Sequence, residues 1–168
     1  MASYLILDAY NIIGALDRYA ERNTGGFDES RELLTNDALK AAGWTGRVII
    51  VVFDAHRSPE PRRDESRAGG AVRVIYTGAG ESADDVIERL LGTLEGSEIV
   101  YTADFALQRT ALARGSARAT PREFEDLLDE LPVMTSTPTK PRRSRLADHL
   151  SPETLRALEE VRRQAERR

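Results

Sequence analysis

Four short apolar runs recur along the chain, at residues 4–7, 48–53, 72–76 and 99–102, and an acidic residue follows each of them. The runs are nearly continuous in Leu, Ile, Val, Phe and Tyr, which is the pattern of strands covered on both faces in a parallel sheet. Segments with helical spacing lie between them. Residues 28–42 put Leu34, Ala38 and Ala41/Ala42 on one stripe, and Val86, Ile87, Leu90, Leu91 and Leu94 repeat at intervals of three and four. Residues 104–114 read as a helix stopped by Gly115, and T-P-R-E at Thr120 to Glu123 combines an N-cap, a first-turn proline and a capping-box glutamate. Strand alternating with helix throughout predicts an α/β fold with a mainly parallel sheet.

The acids fall at the carboxyl ends of those strands. Asp8 ends the first and Asp54 the second, in V-V-F-D-A-H; Glu81, Asp84 and Asp85 follow the third, in G-A-G-E-S-A-D-D; Asp104 follows the fourth, in V-Y-T-A-D. In open parallel sheets ligands bind at that edge. Helix capping accounts for one such acid, and Asp104 is placed to serve partly as a cap. It does not account for four strands doing the same. Ser82 and Asp85 have the spacing of a capping box, so Asp85 reads as structural and Asp84 as part of the site.

Carboxylates gathered in a small volume repel one another unless protons or a cation intervene. The absence of cysteine excludes a thiolate site, and with only two histidines, His56 and His149, a His-rich zinc site is not expected. Hard oxygen donors point to Mg²⁺ or Mn²⁺, and such a site suits phosphodiester hydrolysis by a metal-activated water. Asn11, one helical turn past Asp8, offers an amide to a phosphate or to a water. Other phosphate chemistries lack their residues. Only Lys40 and Lys140 are lysines and neither follows a strand, Tyr10 stands where a haloacid-dehalogenase phosphatase needs its second aspartate, and there is no P-loop.

Together, D-A-Y-N-I-I-G, V-V-F-D-A-H, Y-T-G-A-G-E-S-A-D, V-Y-T-A-D and G-S-A-R-A-T-P-R-E-F resemble the motifs of the YacP-like group of NYN-domain proteins, within the PIN-like ribonuclease superfamily. The resemblance spans nearly the whole chain, including a terminal helix that begins S-P-E-T. It implies a three-layer PIN-like fold and a divalent-metal-dependent endoribonuclease. The acidic metal site would fall on Asp8, Asp54, Glu81, Asp84 and Asp104, with Asn11 as companion. It further implies action on mRNA in connection with the ribosome. Two letters depart from the pattern: Ala9 replaces a usual glycine, which is strained only if that position needs positive φ, and Ala103 replaces a usual serine.

The remaining features concern organisation and RNA. Residues 1–132 form the expected nuclease domain, 133–150 a Thr/Pro/Arg-rich linker, and 151–168 a C-terminal helix with Leu155, Leu158, Val161 and Ala165 on one side. From Lys140 onward there are nine Lys/Arg against five Asp/Glu, so that with a net charge of −4 the rest of the chain carries −8. A basic tail on an acidic body suits either docking on an RNA surface or a solvated helix. Residues 56–70 read as a long polar loop with Arg57, Arg62, Arg63 and Arg67, either a mobile surface loop or an arginine arm for an RNA backbone. No apolar run reaches membrane-spanning length and no leader pattern opens the chain, so a cytoplasmic protein is expected. Oligomeric state is not legible. Two rivals to the nuclease share its fold: a catalytically weak RNA- or ribosome-binding module, and a small-molecule phosphohydrolase.

Overall fold

The computed structural model describes residues 1–20, 27–55 and 59–132. The expected linker at 133–150, the expected helix at 151–168, His56 and Arg57 lie outside the described residues. Within them the chain runs β1 (Ala2–Asp8), α1 (Ala9–Ala15), α2 (Asp17–Ala20), α3 (Phe27–Thr45), β2 (Val48–Phe53), β3 (Arg63–Arg67), a 3-10 turn (Ala68–Gly70), β4 (Val72–Tyr76), α4 (Ala83–Thr93), β5 (Gly96–Tyr101), α5 (Phe105–Ala113), β6 (Ala117–Ala119) and α6 (Pro121–Asp129). The six strands form one sheet in the order β3-β4-β2-β1-β5-β6. Every pairing is parallel except β3 with β4.

Residue parity sorts the core into two layers, because successive side chains of a strand point to opposite faces. Leu5, Leu7, Ile49, Val51 and Phe53 pack with α1, α2, α3 and α6 on one face. Ile6, Ile50 and Val52 pack with Ala83, Val86, Ile87, Leu90 and Leu91 of α4 and Leu107 and Ala111 of α5 on the other. Helices thus cover both faces of the central strands, which explains their near-continuous hydrophobicity. Each large aliphatic side chain so buried stabilises the fold by about 1.5–3 kcal/mol relative to exposure.

The topology reverses at β1. The chain moves outward from β1 to β2 and then β4, and β5 returns to pair on the far side of β1. In open parallel sheets, ligands enter beyond the carboxyl ends of the strands at such a reversal.

The caps form as their spacing predicts. Ser82 accepts from the Asp85 N–H while Asp85 accepts from the Ser82 N–H, and Thr120 and Glu123 do the same ahead of α6. Gly115, with φ of 82°, ends the α5 segment in the left-handed region that glycine tolerates. β5 begins earlier than its apolar run, at Gly96, where a Cβ would stand 2.2 Å from the Ala2 carbonyl oxygen. Glycine permits that close pairing of β5 with β1.

The expected loop at 56–70 is corrected in part. Residues 63–67, R-D-E-S-R, form the antiparallel edge strand β3. An edge strand needs no apolar alternation, and charged side chains there deter pairing with other chains. Arg73 of β4 grips Asp64 of β3 through Nε (2.8 Å) and through Nη2, which adds cross-strand support. Ala9 is the first residue of α1 and is buried; among the described residues the positive-φ non-glycine residue is Ala68. Alanine is therefore unstrained at position 9. Among the described residues, no helix is long and apolar enough to cross a membrane.

Candidate active site

Asp8 is the last residue of β1, and its strand register places it beside the end of β5, where Leu7 pairs with Tyr101. The Thr102 hydroxyl donates to Asp8 Oδ2 at 2.8 Å and itself accepts from the Asp104 N–H at 3.0 Å. Asp8 is only 6% exposed. Burial drives its pKa up to about 6; the Thr102 hydroxyl and the Asn11 N–H pull it down, and the charges of Asp84 and Asp104 push it further up. Asp84, in the first turn of α4, is also raised, first by burial and then by Asp104, Glu88, Asp54 and Asp85.

A second buried aspartate shows what is unusual about Asp8. Asp37 accepts from the Tyr19 hydroxyl at 3.1 Å and pairs with Lys40 at 3.0 Å and Arg18 at 3.7 Å. It has cations. Among the described residues the charges that bear on Asp8 are those of acids, and only the Thr102 hydroxyl and the Asn11 N–H offset its own.

Asp54 follows β2 and accepts from the Ala83 N–H at 3.3 Å, tying the start of α4 to the end of β2. Asp104 caps α5, accepting from the Ala106 N–H at 2.7 Å and the Leu107 N–H at 3.0 Å. Both bonds end on Oδ1, so the expected capping role leaves Oδ2 available. Asn11 Oδ1 accepts from the Ala103 N–H at 3.1 Å, which makes its amide nitrogen the group it offers outward. That contact uses the backbone of Ala103, so the missing serine hydroxyl is not needed for it, and Thr102 supplies the hydroxyl at Asp8.

Glu81 behaves differently from the other acids. Its carboxylate meets Arg89 at 2.8 Å, Arg62 at 3.4 Å and the Gly78 N–H at 3.4 Å. Burial raises its pKa, but the Arg89 hydrogen bond, the Gly78 N–H and the two guanidinium charges outweigh it, and the carboxyl ends below the usual range. Asp84 thus feels the charges of Asp54 and Asp104, Asp8 those of Asp84 and Asp104, and Glu81 has counter-charges of its own.

An open cleft of about 510 Å³ is lined by Asp8, Tyr10, Asn11, Asp54 and Asp84 among others. A larger one, about 670 Å³, opens beside Glu81, Arg89 and Arg114. Of the expected site acids it holds Glu81 alone, whereas the smaller cleft gathers Asp8, Asp54 and Asp84. Among the described residues, no three acidic or histidine side chains form a ready-made cage for one ion. A Mg²⁺-type ion does not need one, since it commonly keeps several waters and takes one or two carboxylates.

The arginines expected to face RNA separate. Arg62 pairs with Glu81, and Arg63 lies 4.5 Å over the Tyr76 ring at the same end of the sheet as the cleft. Arg67 pairs with Glu65 at 3.0 Å and sits opposite Val72, at the start of β4. Four residues at about 3.3 Å each put its backbone about 13 Å from that end. Sequence reading missed Arg31, whose Nε donates to the Tyr10 hydroxyl at 2.7 Å across 21 positions of sequence. No local signal marks such a pairing.

Thr102→Val keeps the side-chain shape and removes the hydroxyl that serves both Asp8 and the Asp104 N–H. A buried carboxylate and a half-buried N–H each lose a bond, so the expected loss is about 1–3 kcal/mol, read as a lower melting temperature in chelator. An unchanged melting temperature would mean that the hydroxyl does not organise this edge.

Known proteins of similar sequence support the same grouping. The YacP-like NYN domain model matches residues 5–163. YacP of Bacillus subtilis (strain 168) is 34% identical over 125 residues, which is 71% of each chain. The crystal structure of Rae1 (YacP) from Bacillus subtilis superposes with a TM-score of 0.62 at 30% identity, covering 95% of this chain and 94% of that one. A single-site mutant of that protein gives 0.65 at 30% identity, covering 76% and 75%. This chain belongs to the YacP-like NYN domain family.

Proposed function

We propose that the protein is a divalent-metal-dependent endoribonuclease that hydrolyses RNA phosphodiester bonds with a metal-activated water. The observation that carries this reading is Asp8, a buried carboxylate whose charged neighbours are acids, at the switch point of the sheet. A cation resolves that repulsion, and the family resemblance supplies the substrate class. The same resemblance implies mRNA in connection with the ribosome, which we carry as the substrate's setting.

The donors fit a hard ion. Asp8, Asp54 and Asp84 line the cleft, and Asp104, whose charge reaches Asp8 and Asp84, would offer a fourth carboxylate through Oδ2. When bound, Mg²⁺ or Mn²⁺ supplies charge neutralisation at the phosphate and activation of a water for in-line attack. Thr102 fixes the orientation of Asp8, and its bond to the Asp104 N–H couples the two strand ends. Asn11 presents its amide N–H to a non-bridging phosphate oxygen. Glu81 would join such a site only on leaving Arg89 and Arg62, with which it pairs here. Arg62 and Arg63 contact the RNA backbone, joined by Arg57, while Arg67 lies outside this role.

The RNA-binding module remains the specific competitor, favoured by the absence of a three-acid cage among the described residues. Incubating labelled single-stranded and structured RNA with the protein, with Mn²⁺ or with EDTA, separates the two. Cleavage in Mn²⁺ that stops in EDTA is expected. Tight binding without cleavage would favour the module, and turnover of a phosphomonoester with RNA intact would favour a small-molecule phosphohydrolase.

A further inference from the structure

The outer face of α5 carries two exposed apolar side chains beside the acidic site. Its inward residues Leu107, Gln108 and Ala111 are buried, whereas Phe105 is 72% and Leu112 54% exposed. Arg109, also exposed, lies between them. At 3.6 residues per turn, positions 105, 109 and 112 fall within about 60° of one another around the helix. Nothing in the helix requires an aromatic residue at its first position, because Asp104 already caps it.

Phe105 directly follows Asp104, whose charge reaches Asp8 and Asp84. We propose that Phe105 is a nucleobase-stacking residue, and Arg109, one turn further, a phosphate contact, on a path by which single-stranded RNA leaves the acidic cleft across α5. This rests on the ribonuclease reading above and deepens it.

Charge explains why such a platform is needed. The chain up to residue 139 carries −8, so a polyanion gains little from the overall field. Flanking nucleotides then need anchors that do not depend on a continuous basic groove. An aromatic face supplies one for any base, and a guanidinium on the same helix face adds a local phosphate contact. Two isolated apolar side chains are also a small target for a protein, whose docking patches run to several hundred Å².

The test uses the full chain with a single-stranded RNA that carries a fluorescent base analogue, with chelator present so that binding is read apart from cleavage. Wild type quenches the analogue, and Phe105→Trp retains that quenching. Phe105→Ala weakens apparent affinity roughly five- to a hundredfold with an unchanged melting temperature, since the side chain is exposed. Arg109→Gln weakens affinity and flattens its salt dependence.

Equal affinity of Phe105→Ala and wild type would overturn the proposal, as would an absence of quenching by wild type. So would unchanged RNA affinity combined with altered self-association in Phe105→Ala and Leu112→Ala, which would assign the face to a second copy of the chain. Failure of the nuclease reading shows separately, as RNA that binds and quenches but stays intact in Mn²⁺.

Discussion

In chelator at pH 7, Asp8→Asn melts at a higher temperature than wild type, although it abolishes RNA cleavage. The folded-state pKa of Asp8 lies at about 6, above the ordinary 3.8. A raised carboxyl contributes stability that is fully present below about pH 4 and lost as pH rises through about 6. At pH 7 the folded protein therefore carries an ionised carboxylate whose burial its hydrogen bonds offset only in part. The interval between 3.8 and about 6 corresponds to at most about 3 kcal/mol. Asparagine keeps one acceptor for the Thr102 hydroxyl and gives up the other, so a gain of about 1–2 kcal/mol is expected. For a domain of this size that is a rise of several degrees, on the scale of about 2–4 °C per kcal/mol. Cleavage should fall by at least about a hundredfold, since even groups one step removed from a metal cost up to that much. A variant that melts lower than wild type in chelator would contradict the account of a buried, unmet charge.

Divalent metal is expected to produce the opposite pattern. At pH 7, Mn²⁺ or Mg²⁺ at a hundred times its dissociation constant adds about 2.7 kcal/mol to the wild type, visible as a rise of several degrees in melting temperature. The gain shrinks as pH falls below about 6, because protons then occupy Asp8 and, over a range above its ordinary value, Asp84. Asp8→Asn shows little of it at any pH. Scanning fluorimetry over a grid of pH and metal concentration reads all of this at once. The same metal-induced rise in Asp8→Asn and wild type would place the bound ion elsewhere.

The parts of the molecule legible in the sequence are those governed by local rules. The strands β1, β2, β4 and β5 announce themselves through apolar stretches at residues 4–7, 48–53, 74–76 and 99–101, whose side chains enter the core on both faces of the sheet. The caps at Ser82/Asp85 and Thr120/Glu123 are legible because both partners lie within four residues. β3 is not, since R-D-E-S-R is an edge strand whose stability comes from bonds to β4 rather than from its own side chains. β6, three residues long, is too short for any periodicity.

The site divides in the same way. That Asp8, Asp54 and Asp104 reach one edge follows from strand ends, and Asp84 is added from the first turn of α4. The ion pairs that engage Glu81 depend on Arg89 one helix face away and on Arg62 across nineteen positions of sequence. Arg31 at Tyr10 is likewise a tertiary contact. Ala9 is harmless for a backbone reason: that position is helical, and alanine suits it.

The most direct test is the chemistry of the cut ends. Labelled single-stranded RNA is incubated in Mn²⁺ with wild type and with Asp84→Asn, and the product termini are analysed. Attack by an activated water predicts hydroxyl and phosphomonoester ends from wild type, cleavage of a substrate with a 2′-deoxy sugar at the scissile position, and loss of both in Asp84→Asn and in EDTA. Products ending in a 2′,3′-cyclic phosphate, or cleavage undiminished by EDTA, would contradict a metal-dependent hydrolytic site at Asp8.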